Sequence, residues 1–403
     1  MRFFGRCGRR IRSQYVHLME RYVGIRPSFS LIYRYRWAFI AYVAVKTFFF
    51  LMFLRMYLLS SSSTSSPAAG RVFSFQGSDF NSNYLMDLTN FTYLANPPIC
   101  GESTNVLAVV LVHTHPSHID LRNTFRRQMP QEILAEIGLR RVFLIGQANK
   151  GQSLYPSVKQ SEIDAENEVF RDMVQGNFEE HYRNLTYKHV MGLTWATRFC
   201  SHAAFIIKMD DDIAVDLFQV RQLLQFRYRE AHNTLLGLVQ TDNHPLRTNH
   251  SKWKVTQEEF SGNVYPPFLS GWCYMAPMEV VKKLAQNAHK FPYFWIDDVF
   301  VTGIMAEDLK IERQGLNHLY TIHSALLECC TLEQFSPKKY YCDVFAGPTS
   351  GDNNLYKAAL DQFYYCYRKG CGRRTGTEIL IRTCVVTPKE TPYGRGVGEV
   401  IAL

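Results

Sequence analysis

Residues 203–212 read Ala-Ala-Phe-Ile-Ile-Lys-Met-Asp-Asp-Asp. The apolar run over 203–209 predicts a strand buried on both faces, with three carboxylates standing where it ends. Working outward, residues 105–112 (Asn-Val-Leu-Ala-Val-Val-Leu-Val) and 141–146 (Arg-Val-Phe-Leu-Ile-Gly) predict two more buried strands, the second stopped by Gly146. Helices are expected at 121–128 and 217–227, a short strand at 235–239, and a helical stretch over 162–200 broken around Gly176. Strands alternating with helices imply an α/β domain with a mainly parallel central sheet, here given the bounds 105–330. In such sheets ligands bind beyond the carboxyl ends of the strands, and that rule selects the aspartates.

Asp210, Asp211 and Asp212 follow one another, so side-chain alternation keeps all three from facing one ligand. Carboxylates at the end of a buried strand are costly unless a cation or hydrogen-bond donors compensate. Hard oxygen ligands suit Mn²⁺ or Mg²⁺, which bridge phosphate oxygens; the competing reading is a solvated acidic turn capping the helix near Leu217. A second acidic pair lies in Phe294-Trp295-Ile296-Asp297-Asp298-Val299. Burial raises a carboxylate's pKa and makes it a better proton acceptor. Asp297 could instead cap the helix running toward Met305 while Asp298 does chemistry. His323 falls in a short apolar stretch, 319–324, read as a strand; alone it is a core histidine, and a nearby metal site would make it a ligand. Between the acids, residues 264–274 combine tandem proline with Ser270-Gly271 and are read as a rigid loop whose aromatics serve either sugar stacking or packing.

The chain has 403 residues, 46% of them hydrophobic, enough for one large domain with accessory segments. Its net charge is +9, yet residues 1–36 hold nine arginines, no lysine and one acid, Glu20, a formal +8. The rest is nearly neutral, so no nucleic-acid partner is expected. Residues 37–59 are apolar and long enough to cross a bilayer. The arginines before them place the N-terminus in the cytoplasm as a signal-anchor, the rival being a cleaved signal peptide. Residues 60–104 open with a serine-rich run and are read as a stalk. Residues 331–403 form a cysteine-containing extension. Nine of the ten cysteines lie beyond the span, so at least one stays unpaired if the others pair. Cys342, Cys366, Cys371 and Cys384 are expected to form disulfides rather than a zinc site, for want of a Cys-x-x-Cys pair. Asn90, Asn184 and Asn249 begin glycosylation sequons.

One block is distinctive: Phe170-Arg171-Asp172-Met173-Val174, then Tyr182-Arg183-Asn184-Leu185-Thr186-Tyr187-Lys188, then Met191-Gly192-Leu193, with the acidic strand end following. It resembles the inverting β-1,3-glycosyltransferase family, which holds β-1,3-galactosyltransferases, β-1,3-N-acetylglucosaminyltransferases and, distantly, Fringe. The likeness covers roughly residues 106–324. Three departures mark a divergent member. The family's Glu-Asp-Val is Asp297-Asp298-Val299; its Arg-Glu-Thr-Trp-Gly is Arg126-Arg127-Gln128-Met129-Pro130; its Ser-Gly-Gly-Gly-Tyr is Ser270-Gly271-Trp272-Cys273-Tyr274.

The resemblance implies a GT-A fold, a lumenal catalytic domain on a single-pass type II anchor in the Golgi membrane, and a UDP-sugar donor. It implies transfer of a hexose or N-acetylhexosamine, galactose foremost, in β-1,3 linkage to a glycan on glycoprotein or glycolipid. By position, Asp298 is the general base, and Asp212 with His323 holds Mn²⁺ (or Mg²⁺). Asp210, Asp211, Arg122, Arg126 and Lys188 lie toward the donor, and Gly271, Trp272 and Asp297 on the loop beside acceptor or donor. The rivals are a metal-dependent nucleotide-sugar hydrolase and a catalytically silent, membrane-anchored glycan-binding protein.

Overall fold

The structure is a computed structural model that describes residues 84–101, 105–148, 158–248, 253–332, 339–388 and 396–400. Its centre is an eight-stranded sheet. We number the strands used below β1 Tyr93–Ala95, β2 Ala108–His113, β3 Leu139–Gln147, β4 Met173–Glu179, β5 Phe205–Asp210, β6 Ile213–Val215, β7 Thr234–Gln240, β8 Phe268–Pro277, β9 Glu312–Gly315 and β10 Ala346–Pro348. The sheet order is β9-β7-β8-β5-β2-β3-β4-β1. The strands β4, β3, β2 and β5 are mutually parallel, and β9 is parallel to β7. Only β8 and β1 run against the rest. This is the mainly parallel α/β sheet that the apolar runs imply.

Every residue of β2 is buried. Ala108, Val110 and Val112 enter one core, while Val109 and Leu111 enter the other. Each face is therefore covered by helices, as a strand apolar on both sides requires. The first core is closed by α1 (Ile119–Gln128), α4 (Leu217–Phe226) and α7 (Asn353–Lys369), and the second by α3 (Leu185–Phe199) and α5 (Met278–Asn287). The helix α4 starts where Asp216 accepts from the Phe218 and Gln219 N–H groups, which satisfies two of its orphan donors.

Four expectations need correction. The stretch 162–200 is not one broken helix: α2 (Gln160–Phe170) ends at Arg171, whose φ is +48°, and β4 follows. Gly176 is a strand residue there, because a Cβ would sit 2.8 Å from the Met191 sulfur of the covering α3. Residues 268–274 form part of β8 rather than a loop. Between Leu269↔Val239 and Tyr274↔Gly237 the ladder slips, so Ser270 to Cys273 face a single residue of β7. Such a bulge re-aims side chains. The stalk expected over 60–104 ends earlier: Phe91 is buried, β1 pairs with β4, and Cys100 is bonded to Cys200. His323 stands outside any strand, just before α6 (Ser324–Leu332).

The segment beyond 331 is integral to the same core. Strand β10 pairs with β6, and α7 places Tyr356, Ala359 and Phe363 in the first core. Disulfides join Cys329 to Cys384, Cys330 to Cys342 and Cys366 to Cys371, while Cys273 is free and buried. All four cysteines singled out above are thus bonded. Cys7, the tail 1–36, the proposed span 37–59 and Asn249 lie outside the described residues. Among the described residues no helix is long and apolar enough to cross a membrane.

Candidate active site

Beyond the carboxyl ends of β2, β4 and β5 lies a cavity of about 750 Å³, within the roughly 300–1,000 Å³ range of small-molecule sites. Its lining includes Asp210, Asp211 and Asp212 from one segment and Asp297 and Asp298 from another. The antiparallel β8 brings its first half to this same end, so Gly271 and Trp272 join the lining. The two acidic motifs therefore face one cleft.

The strand-end acids divide as alternation requires. Asp211 turns inward and accepts from His118 Nδ1 at 2.9 Å and from the Thr114 hydroxyl. Asp210 accepts from Lys208 Nζ at 2.7 Å; the two residues lie two apart on β5 and so share a face. Asp212 is held by its backbone: the Thr349 N–H and Oγ1 both donate to its carbonyl, at 2.9 and 2.7 Å. Burial, with Asp210 and Asp211 adding repulsion, raises the Asp212 carboxyl to about 6.

At the other motif, Asp298 rather than Asp297 caps the wide helical turn Val299–Met305. Its two oxygens accept from the Val299 N–H at 2.8 Å and the Gly271 N–H at 3.0 Å. Burial, reinforced by the Asp297 charge, nevertheless raises it to about 7. Asp297 goes the other way: burial would raise it, but Lys208 and His189 outweigh burial and hold it near 2. His189 is buried in α3. Its Nδ1 lies 2.8 Å from Asp297, and its Nε2 lies 2.7 Å from the Tyr274 hydroxyl. Burial lowers its pKa, so a neutral ring donates from Nδ1 and accepts from Tyr274. Gly271 is required by closeness, since a Cβ there would sit 2.8 Å from the Asp298 Cβ. The Gly271 carbonyl accepts from Lys208 Nζ. Lys208 thus links the two acidic segments, and those acids keep it charged against the pull of burial.

Of the remaining expected residues, Lys188 lines the cavity, donating to Glu180 Oε1 at 2.6 Å and the Thr114 carbonyl at 2.7 Å. Trp272 lines it too, edge-on to Tyr320 at 5.3 Å. Arg122 and Arg126 do not reach the lining. Arg122 is clamped by Glu166 and the His115 and Pro116 carbonyls, and Arg126 by Glu166 and Asp172. Arg122 braces the loop after β2 and Arg126 the junction of α2 with β4, because α2 supplies a carboxylate that no local pattern pairs with α1. His323 is exposed and outside the lining; the parallel bridge Tyr320↔Ala346 points its segment along β10 toward Thr349. Asn90 is exposed, and the Asn184 amide donates to the Glu179 carbonyl.

Sequence reading missed His189, Lys208, Glu180, His118 and Thr349. Lys208 carried a signal: one lysine in an apolar strand, two residues before an acid. The others meet their partners only in the folded chain.

Among the described lining residues, six carboxylates (Asp210, Asp211, Asp212, Asp297, Asp298, Glu180) face two ammonium groups (Lys188, Lys208). A donor set of half-buried oxygens with unbalanced negative charge fits a hard divalent cation. Among the described residues no three metal-ligating side chains already stand grouped.

Residues 120–317 match the family model described as galactosyltransferase. Human β-1,3-galactosyltransferase 5 is 29% identical over 226 residues, covering 56% of this chain and 70% of that one. The bonobo (Pan paniscus) β-1,3-galactosyltransferase 5 is 32% identical over 179 residues, 44% of this chain and 57% of that one. Human β-1,3-galactosyltransferase 2 is 26% identical over 247 residues, 61% of this chain and 56% of that one. The matched stretches thus span from a little over half to about two thirds of these relatives. A solved glycosyltransferase involved in glycosylation of the major capsid of PBCV-1 is 11% identical with a TM-score of 0.30, covering 63% of this chain and 98% of that one.

Proposed function

We propose that the chain is a glycosyltransferase, a divergent member of the β-1,3-glycosyltransferase family, a reading that the galactosyltransferase match over residues 120–317 and the β-1,3-galactosyltransferase relatives support, and that it transfers galactose from a UDP-sugar to a glycan hydroxyl in β-1,3 linkage with inversion. The observation that carries the reading is the divided acid pair at the cavity: Asp297 held ionised, Asp298 raised to about 7. A base works best with a pKa near the working pH, and Asp298 has one. Asp298 takes the proton of the acceptor hydroxyl, whose oxygen attacks the anomeric carbon of the donor from the face opposite UDP. The Gly271 and Val299 N–H groups aim the carboxylate, and His189 with Lys208 keeps the neighbouring charge in place.

Mn²⁺ or Mg²⁺ would be held by Asp212, with His323, and when bound it neutralises charge on the departing diphosphate. The excess of carboxylates over ammonium groups supports this, because a diphosphate placed among them without a cation would be repelled. Asp210 and Lys188 lie on the donor side of the same wall. Thr349 fixes the Asp212 backbone and so the direction of its carboxylate.

We place the domain in the Golgi lumen on a type II membrane anchor, with glycoprotein or glycolipid glycans as acceptors. Pairing of eight of the nine cysteines beyond residue 59 supports an oxidising compartment. The reading is tested with Asp298→Asn. Transfer from UDP-galactose should fall by a factor of about 10² to 10⁴, with UDP affinity in Mn²⁺ kept. Near-normal turnover would remove Asp298 as the base, and release of free galactose as main product in the unaltered protein would replace transfer by hydrolysis.

A further inference from the structure

The cavity lip beside Asp298 carries aromatic surface that the chemistry above does not use. Trp253 and Tyr182 are 48% and 37% exposed, whereas Trp295, three residues before Asp298, is only 4% exposed. All three line the cavity. The Trp253 indole N–H donates to the Tyr182 hydroxyl at 2.6 Å, and the Tyr182 ring centre lies 6.0 Å from that of Trp295. The bond joins the polar edges of Trp253 and Tyr182, so what the two rings show to solvent is largely apolar.

Residues 241–248 and 253–267, between β7 and β8, are bonded so as to hold Trp253 in this position. The Arg247 guanidinium donates to four backbone carbonyls, those of Val255, Thr256, Phe260 and Gly262. The Val255 N–H returns to the Leu246 carbonyl and the Tyr265 N–H to the Asn243 carbonyl. Glu259 closes a turn on the Thr256 N–H and pairs with Arg183, which ties the loop to the turn bearing Tyr182. A charged side chain bonded to four carbonyls is a scaffold, and it fixes the segment that carries the exposed Trp253 ring to the cavity lip.

The cavity is therefore polarised. Carboxylates crowd the strand-end side, where a cation and a diphosphate can neutralise one another. The aromatic side offers faces with a negative quadrupole, which disfavour an anion and suit C–H bonds carrying slight positive charge. The flat face of a hexopyranose presents such C–H bonds while its hydroxyls point sideways into water.

We propose that Tyr182 and Trp253 form the subsite on which a neutral pyranose of the acceptor stacks, its reacting hydroxyl turned toward Asp298; this rests on the transferase reading. The test uses the full chain with Mn²⁺. UDP affinity is measured by calorimetry, binding of methyl β-galactoside and methyl β-N-acetylglucosaminide by saturation-transfer NMR, and acceptor KM with UDP-galactose. Trp253→Ala should weaken glycoside binding and raise acceptor KM about tenfold, with Trp253→Phe recovering to within about threefold. UDP affinity in both variants should match the unaltered protein. Tyr182→Ala gives a second reading from a different element and should act in the same direction. UDP binding without any effect of Trp253→Ala and Tyr182→Ala on glycoside binding overturns the subsite alone, as does UDP binding without any glycoside binding. A protein that binds no UDP overturns the transferase reading, and the subsite with it.

Discussion

The two acidic segments of the cavity are alike in composition and opposite in upbringing. Asp210 to Asp212 hang from the end of a strand, where Lys208 serves Asp210 alone of the three and Asp212 is raised to about 6 by burial and crowding. Asp297 and Asp298 open a helical turn, where their partners are unequal. Lys208 and His189 serve Asp297, while Asp298 has two backbone N–H groups and a charged neighbour. Burial alone would have raised both. Donors decide which carboxylate keeps a proton, so the strand end is a place for a cation and the helix start a place for a proton.

If the two places have separate duties, variants in them should fail differently. Asp212→Asn should weaken UDP binding in Mn²⁺ on the order of 100-fold, because a lost ligand costs at least as much as a lost outer partner. Asp298→Asn should leave that affinity within about threefold. Calorimetry separates the outcomes, and equal losses in both variants would make the segments a single site with shared duties.

The same contrast shows what a sequence can reveal. Strands β2, β3 and β5 were legible because their residues are apolar on both faces, and a strand covered by helices on both sides must be so. The aspartates were legible because charge at the end of such a strand needs a reason. Strand β4 was not, since Gln175 and Asn177 look like loop residues until their partners are seen: Gln175 bonds the Gly146 carbonyl, and Asn177 bonds the backbone at Asn90 and Thr92. Strand β8 was hidden by tandem proline and by a bulge that imitates a turn. Partners such as His189 for Asp297, 108 residues apart, or Thr349 for Asp212, 137 apart, leave no local trace. Arg122 and Arg126 were misplaced for the same reason, as Glu166 lies 44 and 40 residues from them.

A smaller effect comes from the proton itself. Asp298 acts as a base only when ionised, and its pKa is about 7. The kcat/KM for transfer should therefore fall about tenfold for each pH unit below 7 and level off above it. A profile flat down to about pH 5 would mean that Asp298 is ionised throughout, as Asp297 is, and that donors do not divide the pair.

The smallest effect reads the division through stability alone. Asp298 has a folded pKa of about 7 against an unfolded value of about 3.9. The folded chain thus holds this proton more tightly than the unfolded one. The favourable contribution is complete below the unfolded value and is lost as pH rises through 7. Asparagine is neutral at every pH, but its single carbonyl oxygen can accept from only one of the Gly271 and Val299 N–H groups, a cost that does not change with pH. Relative to the unaltered protein, Asp298→Asn should therefore gain about 2–4 °C in melting temperature between about pH 4 and pH 8. Asp297 runs in the opposite sense: held near 2, it contributes stability above about pH 4 that is lost as pH falls further. Asp297→Asn should accordingly melt lower at pH 8, as it removes the negative charge that Lys208 and His189 stabilise. Melting shifts that change with pH in the same sense in both variants would mean that adjacent carboxylates on one helical turn feel one environment, and the assignment of base to Asp298 would lose its physical ground.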